Sequence, residues 1–184
     1  MGELADRAED FARRAHEGQQ YGAGDFHAQH LRRVVDTLKA FGETDETLLT
    51  AAWLHDTVED TAVSVEDVRS NFGDDVADLV WRLTDETGRN RRERHSRTRE
   101  KIRARSAAVR VKLADRIANV ESGIVQRSHL FGMYRKEHPD FRRELYRAGE
   151  FEDMWKRLDD LLQRRSSSER GTVNRGRSES DKSS

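Results

Sequence analysis

Apolar residues return every three to four positions along almost the whole of this chain, and nowhere do they alternate over the length of a strand. A period of 3.6 buries one stripe of a helix, whereas a half-buried strand needs a period of two. The pattern confines the chain to an all-α fold. Leu4, Ala8, Phe11, Ala12 and Ala15 form a first stripe that ends near Gly18. A glycine-punctuated loop, Tyr21-Gly22-Ala23-Gly24-Asp25, leads to a second stripe of Leu31, Val34, Val35 and Leu38, stopped at Gly42. Asp45 is suited to N-cap a third helix carrying Leu48, Leu49, Ala52 and Trp53. Ser64 and Asp67 resemble a capping box with Asp in place of Glu, opening a short helix that closes at Phe72-Gly73. Val76, Leu79, Val80 and Leu83 mark a fifth helix.

The charged stretch over residues 88–94 reads as a loop running into a helix that reaches about Arg103. Ser106 is expected to cap the next helix, whose stripe is Val109, Leu113, Ile117 and Val120. Pro139, the sole proline, is expected to break or kink the pattern between Tyr134 and Tyr146. Phe151, Trp155, Leu158 and Leu162 predict a last amphipathic helix. From Arg164 the chain is rich in serine and arginine, with no leucine or aromatic residue. Residues 164–184 are therefore expected to be a disordered tail behind one compact helical domain, residues 1–163.

Charge and composition exclude several classes of function. A net charge of −1 creates no global field that would recruit nucleic acid or a membrane surface. The absence of cysteine rules out disulfides and thiolate metal ligands, and fits a reducing, cytoplasmic setting. Met1-Gly2-Glu3-Leu4-Ala5-Asp6 has neither a basic nor an apolar segment of the kind a signal peptide needs. No apolar run is long enough to span a bilayer. Oligomeric state is not legible.

The chemistry concentrates in a few residues. His55 and Asp56 end the apolar run Ala51-Ala52-Trp53-Leu54, and Glu59-Asp60 follows closely. His30 lies one helix upstream and Asp115 well downstream, in Lys112-Leu113-Ala114-Asp115-Arg116. Two imidazoles and two carboxylates make a mixed nitrogen–oxygen set for Mn²⁺, Fe²⁺ or Zn²⁺. Taken singly, each element has an ordinary reading: a capping or partly buried histidine, a helix C-terminal pair, a solvated acidic turn, an exposed ion pair. Together they favour a metal site, because Asp115 sits in an apolar segment and would be costly to bury unpaired.

The series His30, His55-Asp56, Glu59-Asp60 and Lys112-Leu113-Ala114-Asp115-Arg116-Ile117-Ala118-Asn119 resembles the HD-domain phosphohydrolases. It is most similar to the hydrolase domain of RelA/SpoT-type alarmone enzymes and their small stand-alone relatives. Leu54-His55-Asp56-Thr57-Val58-Glu59-Asp60-Thr61 and Phe72-Gly73-Asp74-Asp75-Val76 match that branch well. The resemblance implies a compact helical bundle with His30, His55, Asp56 and Asp115 as ligands of one divalent metal, Mn²⁺ in this branch. It implies Glu59 and Asp60 as the catalytic acidic pair, Asn119 as a substrate contact and Ser122 as a hydroxyl near the nucleotide. The implied partner is a small nucleotide, and the implied reaction is 3′-pyrophosphate hydrolysis of a (p)ppGpp-like substrate. A phosphohydrolase for another nucleotide, or a silent nucleotide-binding regulatory module, are the alternatives.

One departure bears on specificity. Where the closest hydrolases carry an Arg-Lys pair that helps hold guanine, this chain has Tyr21-Gly22. Tyr21 could stack on a base or plug the underside of the loop. The arginines between 89 and 105 are a second place for substrate contacts, since guanidinium forks match phosphate geometry. Arg91 and Arg94 could swing over the site, or belong to a solvated helix face. Tyr134-Arg135-Lys136-Glu137 could add a further cation. No aromatics are interleaved with these arginines, so nucleic acid is not expected as a partner.

Overall fold

The computed structural model describes residues 2–21 and 24–163, so the expected disordered tail lies outside the described residues. In chain order the elements are α1 (Glu3–Ala15), β1 (Gln20–Tyr21), β2 (Gly24–Asp25), a π-turn (His27–Leu31), α2 (Arg32–Ala40), α3 (Glu46–Leu54) and α4 (Thr57–Asp60). Then follow α5 (Val65–Phe72), α6 (Asp74–Leu83), α7 (Arg91–Arg103), α8 (Ser106–Val125), α9 (His129–Leu145) and α10 (Glu152–Gln163). The fold is all-α, as the periodicity predicts. No described helix is long and apolar enough to cross a membrane.

Two helices carry the core. In α3 every residue from Leu48 to Leu54 is buried, so it is covered on all sides. α8 buries Val109, Leu113, Ile117 and Val120 and packs against α2, α6, α7, α9 and α10. α1 lies on α3 with a stripe of Ala5, Ala8 and Ala12, whose small side chains allow a close approach. Two of the caps fall where the sequence puts them. Asp45 accepts from the Leu48 N–H at 2.8 Å. Ser64 and Asp67 form a reciprocal capping box, with Ser64 N–H donating to Asp67 at 2.8 Å and Asp67 N–H to Ser64 at 3.1 Å.

Several local expectations are corrected. The glycine loop contains a short antiparallel ladder, Gln20 opposite Asp25 and Tyr21 opposite Gly24, too brief to show alternation in sequence. Ser106 is the first residue of α8 rather than its cap; Arg105 takes the extended cap position, and the Ser106 hydroxyl donates instead to Glu150 at 2.9 Å. Pro139 does not break α9, which runs from His129 to Leu145. Contacts on both sides of the proline hold the helix: Glu137 pairs with Arg91 and Arg116, while Phe141 and Leu145 are buried. Glu59-Asp60 belongs to a one-turn helix, and Phe151 precedes α10 with a φ of 55°.

A candidate metal centre

His55 closes α3 at the end of the buried run, and Asp56 follows it. The His55 Nδ1–H donates to the Ala52 carbonyl at 2.8 Å, which leaves the Nε2 lone pair facing inward. His30 comes from the π-turn, a winding that carries one extra residue per turn and often marks functional positions. Its Nε2 lies 3.3 Å from His55 Nε2, 3.2 Å from Asp56 Oδ2 and 3.5 Å from Asp115 Oδ1. His55 Nε2 is 3.1 Å from Asp56 Oδ1 and 4.0 Å from Asp115 Oδ1. Asp115 reaches this point from the middle of α8, the helix the core holds most firmly. Four residues from three separate parts of the chain thus aim nitrogen and oxygen donors at one small volume.

The donor atoms of His30, His55 and Asp56, 3.1–3.3 Å apart, are spaced as ligands of a single ion with bonds of roughly 2.0–2.2 Å would be, and Asp115 stands slightly further off, 3.5 Å from His30 and 4.0 Å from His55. Without an ion, two facing imidazole nitrogens must share a proton or repel. The residues present fit a divalent cation.

Electrostatics supports the same reading. Burial alone would raise the Asp56 carboxyl, but His55 and His30 outweigh it and hold Asp56 well below the usual carboxylate range. Burial likewise opposes ionisation of Asp115, yet Lys112 and the two imidazoles depress it. Burial disfavours protonated His30, and the hydrogen bond and charge of Asp56, with Asp115, more than compensate, so His30 is raised. Asp115 is held by two further partners: Lys112 Nζ at 2.9 Å on Oδ2, and the Asn119 amide, which donates to Oδ1 at 2.5 Å. Lys112 is pushed up despite its burial, by Asp115 and Asp56.

Three of the candidate donors, His30, Asp56 and Asp115, line one wall of a cavity of about 280 Å³. Glu59 and Asp60 stand exposed on its rim. Partial burial raises both carboxyls; at Glu59 the Asp85 N–H opposes this while the charges of Asp85 and Asp56 add to it, and at Asp60 the charge of Asp56 adds to it. Glu59 is anchored by the Asp85 N–H at 3.0 Å. Tyr21 stacks on His30 at 5.1 Å between ring centroids, and its hydroxyl donates to Asn119 Oδ1 at 2.5 Å. Burial, with Tyr134 and the nearby carboxylates, pushes the Tyr21 phenol up to about 12.

Across the cavity, α7 contributes Arg91, His95, Thr98, Arg99 and Ile102, and α8 contributes Arg116. Glu137 on α9 accepts from Arg91 at 2.8 Å and from Arg116 at 3.1 Å, and Glu144 accepts from Arg99 at 3.0 Å. The guanidinium of Arg116 also lies 4.6 Å from the ring centres of Tyr134 and Phe141.

Of the residues singled out from sequence, His30, Asp56, Glu59, Asp60, Asp115, Asn119, Tyr21 and Arg91 line this cavity, while the buried His55 touches it only through His30 and Asp56. Ser122 is not brought there; it is buried one turn further along α8 and accepts from Arg33 at 3.1 Å. Arg94 is exposed and off the cavity wall. From the Tyr134–Glu137 segment the cavity receives Tyr134, while Glu137 acts as an anion that braces the cations. Sequence reasoning included Arg99 in the arginine stretch but missed His95 and Lys112. For His95 the signal was present: Arg91, His95, Thr98, Arg99 and Ile102 form a 3.6-period stripe that is concealed because most of it is charged.

A protein-family model described as the HD domain matches residues 8–129. Over 78 residues the chain is 44% identical to the guanosine-3′,5′-bis(diphosphate) 3′-pyrophosphohydrolase of Drosophila melanogaster, covering 42% of this chain and 44% of that one. Over 121 residues it is 36% identical to the protein of the same enzyme name from Aquifex aeolicus, covering 63% of this chain and 17% of that one. The chain thus spans less than half the length of these curated relatives. A solved structure of a metazoan ortholog of SpoT that hydrolyses ppGpp superposes with a TM-score of 0.71 at 27% identity, covering 93% of this chain and 97% of the other.

Proposed function

The chain belongs to the HD-domain family, and we propose that it is a metal-dependent phosphohydrolase acting on a 3′-pyrophosphorylated nucleotide of the (p)ppGpp type. The observation that carries this reading is the close cluster of His30, His55 and Asp56, with Asp115 3.5 Å from His30, beside a cavity that also holds an acidic pair and a cation wall. The two named relatives and the structural neighbour support the choice of substrate class. The four residues would hold one divalent ion, for which Mn²⁺ is our assignment. When bound, such an ion would supply Lewis-acid chemistry, making a water more acidic and polarising a phosphoryl oxygen.

The protein's own groups do the rest. Glu59 and Asp60 orient the attacking water and accept its proton, and their raised pKa values bring them closer to working pH. Arg91 and Arg116, locked by Glu137, present guanidinium groups to the phosphates that are not cleaved. Asn119 is oriented between Asp115 and Tyr21 and offers an amide to the sugar or the scissile group. Ser122 and Arg94 are not carried into this assignment.

Base selectivity should be modest. Tyr21 replaces a cation at the position where the resembling hydrolases hold guanine, and its hydroxyl and one ring face are already engaged. A charged donor to a base edge contributes about 1.5–3 kcal/mol, so its loss relaxes discrimination by about one to two decades. Guanosine and adenosine 3′-pyrophosphorylated nucleotides, assayed side by side with Mn²⁺, should both release pyrophosphate, with kcat/KM within about tenfold of each other. Release should stop on chelation. Binding of both nucleotides without release would instead favour a silent regulatory module.

A further inference from the structure

His16 is buried beside the rim of the cavity, outside the ligand set and the cation wall. Its ring stacks on Phe26 at 4.7 Å and 23°, and Phe26 in turn packs against His30 at 5.3 Å. His16 Nδ1 donates to Gln19 Oε1 at 2.7 Å, and Gln19 Nε2 donates to the backbone carbonyl of Asp60 at 2.8 Å. The other ring nitrogen, Nε2, is buried without a hydrogen-bond partner among the described residues. An apolar side chain would fill the same space without leaving a polar atom unpaired, so packing alone does not account for an imidazole here.

The carbonyl being held is the one that needs holding. α4 is a single turn, Thr57–Asp60, and the last carbonyls of any helix have no partner within it. The start of the turn is secured by the Thr57 hydroxyl on the Leu54 carbonyl at 2.7 Å. Within it, Asp60 N–H reaches the Asp56 carbonyl at 2.9 Å. Its far end is tied from outside, across 41 residues of chain, by Gln19. Gln19 is itself fixed, with its own carbonyl accepting from Phe26 N–H at 3.2 Å and its N–H donating to the His16 carbonyl at 3.0 Å.

We infer that His16 and Gln19 are positioning residues for Asp60. The imidazole turns the Gln19 amide so that its N–H faces the Asp60 carbonyl, and that bond holds the one-turn helix that aims the acidic pair at the metal site. The same segment, through Phe26, bears on His30, so the two sides of the site are registered to each other. This inference rests on the reading of Asp60 as a group that handles the proton of the attacking water.

Gln19→Glu tests it, because a carboxylate keeps the size and can still accept from His16 but has no N–H to give to Asp60. Gln19→Met serves as an uncharged second variant. In Mn²⁺-loaded protein, kcat for pyrophosphate release should fall by about tenfold or more while KM stays within about twofold, since misplacing a catalytic group by an ångström can cost up to a hundredfold. Metal content and thermal midpoint should match wild type. Amide hydrogen exchange at Asp60 and Thr61 should accelerate by about tenfold or more, with α3 and α8 unchanged. Unchanged exchange at those two amides in both variants overturns the inference, as does unchanged kcat despite faster exchange. Should wild type release no pyrophosphate at all, the proposed function falls, while the exchange measurement still decides whether the pair holds the turn.

Discussion

In the proposed assignment, Glu59 and Asp60 are the residues whose removal should separate chemistry from binding. Neither is needed to complete the donor set, and both stand on the rim rather than among the ligands. Changing them together to Gln and Asn should leave metal content intact while turnover falls by roughly a hundredfold or more. Near-normal turnover in that double variant would reduce the pair to a surface turn. His95 gives a different residue-level prediction. Burial and Arg91 pull its pKa down to about 4 from 6.5, against the opposing charges of Asp85 and Glu137. The folded protein therefore keeps His95 neutral where the unfolded chain already takes up a proton. Stability from this group is complete above pH 6.5 and is lost as the pH falls through that value to about 4. In the metal-free protein, His95→Gln should lose less stability than wild type between pH 7 and about pH 4.5, read as the shift in urea midpoint. An equal shift in both would show that other groups carry the acid sensitivity.

At the scale of elements, the helices form where capping and periodicity agree, and their ends can be tested one by one. The capping box of α5 lies away from the cavity, and the Ser64 hydroxyl there donates to the Asp67 carboxylate and accepts from the Asp67 N–H. Ser64→Ala should lower stability by about 1 kcal/mol and leave kcat and KM unaltered. A stability loss accompanied by a change in KM would mean that α5 is coupled to the site. Legibility at this scale was uneven for a physical reason. Asp45 and Ser64 cap helices through bonds to residues three positions on, so their roles are written locally. Ser106 loses the cap role because Glu150, 44 residues away, takes its hydroxyl. Pro139 stays inside α9 because α7, α8 and α10 hold that helix from outside. Local rules fail where distant residues compete for the same atoms.

The whole molecule brings the donors of its proposed metal centre from three distant stretches: the π-turn before α2, the end of α3 and the middle of α8. An unfolded chain has no such site, so metal binding should stabilise the fold. At a free metal concentration of 100 Kd the gain is about 2.7 kcal/mol. Mn²⁺ should therefore raise the thermal midpoint and chelation should lower it. Asp115→Ala, which removes one donor and strands Lys112, should abolish both the bound metal and that rise while leaving the helical circular dichroism largely intact. Equal metal content in wild type and Asp115→Ala, by elemental analysis, would remove Asp115 from the site.

The sequence by itself determined the all-α class, because a 3.6-residue period admits one way of burying an apolar stripe. It also marked ligand candidates, since His55-Asp56 ends an apolar run and Asp115 sits in an apolar segment, where unpaired polar groups are costly. The tertiary structure decided which charged residues face the site. Arg91, His95, Arg99 and Lys112 look, in sequence, like the solvated charges beside them; a charged side chain shows no preference for one side of its helix until a partner such as Glu137, Glu144 or Asp115 stands opposite. The same holds for the link from His16 through Gln19 to Asp60. A hydrogen bond reaching across 41 residues leaves no periodic trace in the chain, and only folding makes it short.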